Sequence, residues 1–240
     1  MSNEIILDME LFAIETVEPT KKLSTIAVFD FDGTLTKRDS LLPFLRFAVG
    51  RWQFWWGLLL MSPILIRYAL KLIPNWQAKD ILLNHFLAGW TEERLNQIAQ
   101  NFAQEEISKL LRSEALQRLH WHQEQGHQII LISASLEAYL LPWAKPINFD
   151  QITGTQLEVQ DGHLTGHLLG RNCYGQEKVE RLRALLGDFN NYCIYAYGDS
   201  RGDFELLDAV NYPYYRTFKN ITPRKFPFNR RSLSKFNGTV

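Results

Sequence analysis

Cysteine is scarce in this sequence of 240 residues, which contains only Cys173 and Cys193. Two cysteines are too few for a disulfide framework, and their spacing to the histidines fits no zinc pattern. Residues 1–20 contain no lysine or arginine, so the basic start of a secretory signal is missing. We therefore expect a reducing, cytoplasmic location.

A net charge is also lacking, because 26 basic residues balance 26 acidic ones. The sequence therefore lacks the overall excess of positive charge that is typical of nucleic-acid-binding proteins, and we expect no nucleic-acid partner. The charges are unevenly placed, since residues 1–20 carry only acids and residues 211–240 only bases. Two interpretations stay open for these ends: solvated tails, or a basic tail that contacts an anionic surface such as lipid headgroups.

Three short apolar runs predict buried parallel strands, at residues 25–29, 128–132 and 192–197. Each run is followed at its carboxyl end by polar residues: Asp30, Ser133 and the pair Gly198-Asp199. Because ligands bind at this edge of open α/β sheets, these residues are expected to converge.

Helical patterns fill most of the chain between the first two runs, and they predict an inserted cap at residues 40–112. A helix near 114–125 leads back to the sheet, and another is expected to end near Pro142. Residues 151–160 and 163–169 flank the turn signal Asp161-Gly162 and predict a hairpin. The expected divisions are an N-terminal extension (1–24), a catalytic core (25–39 and 113–216), the cap, and a basic tail (217–240). We predict an α/β fold with a Rossmann-like, doubly wound parallel sheet and an inserted α-helical cap.

The segment Asp30-Phe31-Asp32-Gly33-Thr34 carries the strongest chemical signal. Side chains two positions apart in extended backbone face the same side, so Asp30 and Asp32 are expected to share one site. Two clustered carboxylates repel unless a cation or a proton intervenes, and Mg²⁺ suits such oxygen ligands. Taken alone, the pair also fits two capping acids at a strand–helix junction.

Three further elements accompany this motif: Ser133 after the second run, Lys178 at a helix start, and Asp199 and Asp203 in a Gly-Asp-x-x-x-Asp segment. In this order, the residues resemble the haloacid dehalogenase-like hydrolase superfamily. The helical insert after the first motif resembles the subclass that includes phosphoserine phosphatase. The resemblance covers roughly residues 25–215.

The resemblance implies a role for each residue. Asp30 is the expected nucleophile, through an aspartyl-phosphate intermediate, and Asp32 the general acid and base. Mg²⁺ is expected on Asp30, on the backbone carbonyl of Asp32 and on Asp199, with Asp203 acting through water or a hydrogen bond. Phosphate is expected to contact a set of residues around these acids: Asp30, Asp32, Gly33, Ser133, Ala134 and Lys178.

The cap is expected to select the substrate. Asp39 stands where phosphoserine phosphatases carry a glutamate, so it is a candidate contact for a cationic group or a helix cap. Residues 52–66 contain no charge and include Trp52, Trp55 and Trp56. Three interpretations stay open: a helix pair packed inside the cap, contact with a membrane interface or lipid tail, or a transmembrane helix. By character and position, this stretch is similar to bacterial phosphatidylglycerophosphate phosphatases of the same superfamily.

The sequence therefore predicts a Mg²⁺-dependent phosphatase that hydrolyses a phosphate monoester. The substrate is either a small phosphate metabolite or a lipid phosphate such as phosphatidylglycerol phosphate. Two alternatives stay open: phosphotransfer to an acceptor other than water, and a non-catalytic module that binds lipid or a partner. The sequence does not specify the oligomeric state.

Overall fold

The computed structural model describes residues 23–218, in which six strands form one sheet of order β4-β3-β2-β1-β5-β6. All neighbouring strands are parallel except β3 and β4, which form the expected antiparallel hairpin. The strands are β1 (Ser24–Phe29), β2 (Gln128–Leu136), β3 (Gln151–Gln160), β4 (His163–Leu169), β5 (Tyr192–Gly198) and β6 (Tyr212–Tyr215). The predicted α/β fold with a mostly parallel sheet is confirmed. The acidic end and nearly all of the basic tail lie outside the described residues.

Helices cover both faces of this sheet, and the alternation along β1 shows why. Ala27 and Phe29 pack in one apolar cluster, whereas Ile26 and Val28 pack in the other. The helices are α1 (Leu41–Val49), α2 (Arg51–Leu60), α3 (Ser62–Ala69), α4 (Asn75–Leu87), α5 (Glu92–Glu105), α6 (Ile107–Leu110), α7 (Ser113–Glu124), α8 (Glu137–Ala144), α9 (Gln176–Leu186) and α10 (Phe204–Asp208).

The helices α1–α6 form the segment that we call the cap. This segment leaves and rejoins the sheet at one place, because the Lys37 amide donates to the Leu110 carbonyl and the Arg112 amide to the Leu35 carbonyl, both at 2.8 Å. The side chain of Thr91 caps α5 by accepting from the Arg94 amide at 3.2 Å. An insertion needs such adjacent ends, and the division into cap and core stays a prediction.

Two elements extend beyond their predicted ends. Strand β2 continues past Ser133 to Leu136, with a register shift against β3 between Ile132 and Leu136. The polar residues do not end the strand, because pairing resumes between Leu136 and Thr155. Helix α8 also continues through Pro142 to Ala144.

The apolar segment at residues 52–66 forms two short helices, α2 and α3, that meet at Met61. The interpretation that this pair packs inside the cap holds for one side of α2 only, because Phe54 and Gly57 are buried whereas Trp52 and Leu60 are 77% and 69% exposed. Within the described residues, no helix combines the length and the apolar character that crossing a bilayer requires.

Candidate functional site

The first motif directly follows β1 and is fixed against β5. The Asp30 amide donates to the Tyr197 carbonyl at 3.0 Å, and residues Phe31–Leu35 then form one wide turn. Gly33 has a φ of 76°, and a Cβ atom at this position would lie 2.2 Å from Asp199 Oδ2. A glycine is therefore needed here both for its backbone conformation and for the close approach of Asp199.

Lys178, near the start of α9, forms the electrostatic centre of the site. Its ammonium lies 2.6 Å from Asp30 Oδ1 and 2.6 Å from Asp203 Oδ1, and all three side chains are buried. Burial favours the neutral amine, but Asp203 and Asp30 outweigh it and raise the pKa of Lys178 above its usual value. The lysine is therefore a permanent cation.

The two acids respond differently to this cation. Burial and the nearby Asp203 raise the pKa of Asp30 to about 7, although Lys178 opposes the change. Burial also acts to raise the pKa of Asp203, but Lys178 and the hydrogen bonds from Ser200 outweigh it and lower that pKa. Asp203 is thus the firmly ionised partner, whereas the charge of Asp30 is sensitive to what binds beside it.

Both carboxylate oxygens of Asp203 are hydrogen-bonded, and this residue does not line the cleft. Its Oδ2 accepts from the amides of Asp199 and Ser200 at 3.2 and 2.9 Å, and from the Ser200 hydroxyl at 2.9 Å. Its Oδ1 accepts from Lys178. Asp203 therefore positions the loop that carries Asp199 and positions Lys178.

Asp32 has its own hydrogen-bond partners. Its Oδ1 accepts from the Ser40 amide at 2.9 Å, and its Oδ2 accepts from the Ser135 hydroxyl at 2.6 Å. Burial and then the negative charge of Asp39 raise the pKa of Asp32 to about 8. At neutral pH the carboxyl group can therefore hold a proton, as a general acid requires.

Sequence reasoning missed Ser135, which joins Asp32 to Ser133. The hydroxyls of Ser133 and Ser135 lie 3.0 Å apart, and Ser133 Oγ also accepts from the Ser135 amide at 3.2 Å. The signal was present, because Ser135 stands two positions after Ser133 and alternate strand residues share a face.

Lys79 was also missed, although it enters the site from α4. Its ammonium donates to the Ala134 carbonyl and, at 3.1 Å, to Asn172 Oδ1. Burial lowers the pKa of Lys79 to about 8, against the opposing charge of Asp32. The available signal was a lysine on the apolar stripe of a helix, three and four positions before Leu82 and Leu83.

A cleft of about 610 Å³ opens above these groups, between the sheet edge and the cap. Its lining includes every expected site residue except Asp203: Asp30, Asp32, Gly33, Asp39, Ser133, Ala134, Lys178 and Asp199. Asp39 also accepts from the Leu41 amide at 2.8 Å, so it caps α1 while it faces the cleft. Above the charged floor, Leu42, Leu65 and Tyr68 give the cleft an apolar wall.

Three carboxylates meet at the floor of the cleft. One oxygen from each of Asp30, Asp199 and Asp203 lies within 4.8 Å of the others. Asp199 is half-buried, and its pKa is raised by burial and by Asp203. A cluster of carboxylate oxygens, in which Asp30 and Asp199 have raised pKa values, fits a hard divalent cation such as Mg²⁺. Because Asp30 and Asp199 line the cleft whereas Asp203 is fully buried beneath it, Asp30 and Asp199 are the residues that fit direct ligation.

Known proteins are similar to this chain in sequence and in fold. Protein CicA of Caulobacter vibrioides is 35% identical over 196 residues, which are 81% of this chain and 86% of that protein. A histidinol-phosphatase of Neisseria meningitidis is 26% identical over 204 residues, covering 80% of this chain and 89% of the relative. The crystal structure of a probable phosphoserine phosphatase from Vibrio cholerae aligns with a TM-score of 0.57 at 17% identity, covering 78% of this chain and 54% of that one.

The family described as haloacid dehalogenase-like hydrolase matches residues 27–208, which contain all four motifs. The match spans most of the chain, and the likeness to the Vibrio cholerae structure agrees with the predicted fold. The resemblance that the motifs indicate is therefore confirmed: the chain belongs to the haloacid dehalogenase-like hydrolase family.

Proposed function

We propose that this hydrolase is a Mg²⁺-dependent phosphatase that hydrolyses a phosphate monoester through an aspartyl-phosphate on Asp30. The observation that carries the proposal is the ion pair between Asp30 and Lys178 at the cleft floor, with Asp32 beside it. Asp30 lies 2.6 Å from the buried Lys178, and Asp32 is held beside it by Ser135 and Ser40. A nucleophile, a fixed cation and a proton donor thus face one cleft. The phosphatase class also agrees with a relative that is a histidinol-phosphatase.

In the first step, a carboxylate oxygen of Asp30 attacks phosphorus, and the bond from phosphorus to the ester oxygen breaks. Asp32 gives its proton to the departing oxygen, so the leaving group departs as an alcohol. Lys178 stabilises negative charge on the phosphoryl oxygens, together with the Ser133 hydroxyl. These residues are expected to contact phosphate along with Gly33 and Ala134.

In the second step, a water attacks phosphorus and the Asp30–phosphoryl bond breaks. Asp32, now ionised, takes the proton from this water, which restores both carboxyl groups and releases phosphate. When bound at Asp30, Asp199 and the Asp32 carbonyl, Mg²⁺ supplies positive charge that offsets the repulsion between nucleophile and phosphate.

Two substrate classes remain under this proposal: small phosphate metabolites and lipid phosphates such as phosphatidylglycerol phosphate. The apolar wall formed by Leu42, Leu65 and Tyr68 supports an ester whose leaving group has an apolar part. Asp39 and Lys79 are expected to contact polar groups of the leaving group, because both face the same cleft.

A substrate panel tests the proposal with phosphoserine, histidinol phosphate, sugar phosphates, nucleotides and phosphatidylglycerol phosphate, each with and without Mg²⁺. We expect the wild type to hydrolyse at least one of these esters. EDTA should abolish this turnover, and so should Asp30→Asn, although the variant stays folded. Wild-type turnover by folded Asp30→Asn would remove Asp30 as the nucleophile. Transfer to added glycerol instead of water would identify a phosphotransferase. No turnover of any ester would favour a binding module.

A further inference from the structure

One face of α2 exposes large apolar side chains to solvent. Five residues of this face are each 54% to 77% exposed: Trp52, Trp55, Trp56, Leu59 and Leu60. Their spacing of three, one, three and one positions places all five on a single helical face. Such a face is normally buried in a core, and here it points away from one.

The opposite side of α2 is firmly anchored in the cap. Phe54 is buried and stacks on Phe86 of α4, with ring centroids 5.9 Å apart. Gly57 allows this approach, because a Cβ atom at that position would lie 2.4 Å from the Phe86 ring. The helix therefore already has a packed side, and the tryptophan-bearing face is additional apolar surface.

The apolar surface continues beyond α2. Ile66 and Leu70, one helical turn apart, are 58% and 64% exposed, and Leu72 and Trp76 are similarly exposed. We call these four residues and the five on α2 the tryptophan face. Scattered exposed apolar residues are normal, but nine within 25 consecutive positions mark an interaction surface.

The charge around this face has one sign. From residue 40 to residue 79 the chain contains no aspartate or glutamate, although the whole chain is neutral. Arg51, Arg67 and Lys71 are exposed within this stretch. The surface therefore combines tryptophans, aliphatic residues and cations without an acid.

We propose that the tryptophan face docks the protein onto an anionic lipid membrane, with α2 lying in the interface plane. Tryptophan prefers the boundary between headgroups and acyl chains, and flanking arginine and lysine attract anionic headgroups. The docking is interfacial, because α2 and α3 are 10 and 8 residues long, whereas a spanning helix needs about 20.

A second copy of the chain fits this face less well. A twofold interface brings the same patch of both copies together. The cations Arg51, Arg67 and Lys71 of both copies would then share one interface, to which residues 40–79 contribute no acid. Like charges across an interface oppose association, whereas anionic headgroups complement these cations.

The docking surface borders the catalytic cleft. Leu65 and Tyr68 of α3 line the cleft, while Ile66 of the same helix and Leu70 just after it belong to the tryptophan face. Docking would therefore place the cleft mouth near the lipid headgroups. This consequence rests on the proposed function, whereas the docking itself does not.

Vesicle sedimentation of the full chain tests the docking. We expect wild-type protein to sediment with vesicles of equal parts phosphatidylglycerol and phosphatidylcholine, and less with phosphatidylcholine alone or in high salt. The variant Trp52→Gln/Trp55→Gln/Trp56→Gln should lose at least about tenfold in affinity. Arg51→Gln and Arg67→Gln should each cost about fivefold.

A matched pair of single substitutions controls for general surface effects. Leu60→Gln on the tryptophan face should weaken vesicle binding, whereas Leu185→Gln on the exposed side of α9 should not. Circular dichroism checks folding, and both variants should retain wild-type turnover of soluble p-nitrophenyl phosphate. The single substitutions keep the test valid even where the triple variant fails to fold.

Several outcomes would overturn the docking. One is wild-type protein that ignores anionic vesicles, and another is a folded triple variant that binds them as tightly as wild type. A wild-type dimer that the triple variant converts to a monomer, without vesicle binding, would show a self-association surface instead. The two proposals are separable, because vesicle binding without ester turnover would support docking alone, and turnover without vesicle binding would refute docking alone.

Discussion

The substitution Lys178→Met removes the cation that two buried carboxylates share. The ammonium lies 2.6 Å from both Asp30 and Asp203, and no member of this group is more than 6% exposed. Removing one partner of a buried ion pair costs about 3 to 5 kcal/mol, because the remaining charge is left uncompensated. We expect about 3 kcal/mol, since Asp30 can take a proton and Asp203 keeps its amide donors.

The loss in unfolding free energy that Lys178→Met causes should increase with pH. Lys178 holds the pKa of Asp203 below its usual value, so in the wild type this pair adds stability above the ordinary carboxyl pKa of about 4. That stability is lost as the pH falls through the folded-state pKa. In the variant, the pKa values of both carboxyl groups rise and they become protonated. The gap between wild type and variant should therefore be largest near pH 8 and shrink towards pH 4.

Urea unfolding in EDTA, followed by circular dichroism at several pH values, measures this gap. The control is Lys109→Met, which breaks a pair of the same length, 2.6 Å from Lys109 Nζ to Glu106 Oε1, on the surface. An exposed pair contributes about 1 kcal/mol at most, so this variant should unfold almost as the wild type does. Equal losses in both variants, or a loss for Lys178→Met that does not change with pH, would show that Lys178 does not stabilise the two buried carboxylates as an ion pair.

Two further substitutions test the groups around the cleft. Ser135→Ala removes the hydroxyl that donates to Asp32. A hydrogen bond to a charged group contributes roughly 1.5 to 3 kcal/mol, so kcat should fall about 10- to 100-fold. An unchanged kcat in steady-state assays would show that Ser135 does not position Asp32. Lys79 has a pKa of about 8, so its charge is lost as the pH rises through that value. KM for the substrate should therefore rise above about pH 8 in the wild type, whereas Lys79→Met should show a high KM at all pH values; identical KM profiles would contradict the contact.

Much of the fold could be predicted because its signals are local. The runs before Asp30, Ser133 and Asp199 are continuous and apolar, and parallel strands place their carboxyl ends on one edge. That rule alone brings three distant motifs into one cleft. The Asp161-Gly162 turn likewise specifies the hairpin without any long-range information.

The missed features depend on which neighbours a side chain meets. In the sequence, Lys79 is an ordinary lysine of a helix. Only the packing of α4 brings its ammonium to the Ala134 carbonyl. Helix α2 is apolar on both sides, so its pattern could not tell whether Phe54 or Trp55 faces the core. Only the packing of Gly57 on Phe86 decides the orientation.

The central claim is that Asp30 carries the phosphoryl group during turnover. Acid quenching of the enzyme during turnover of its best ester, with Mg²⁺ present, should trap an acyl phosphate on the peptide that contains Asp30. Mass spectrometry should find this adduct in the wild type but not in Asp30→Asn. A phosphoryl group on another residue, or efficient turnover without any adduct on Asp30, would contradict the account.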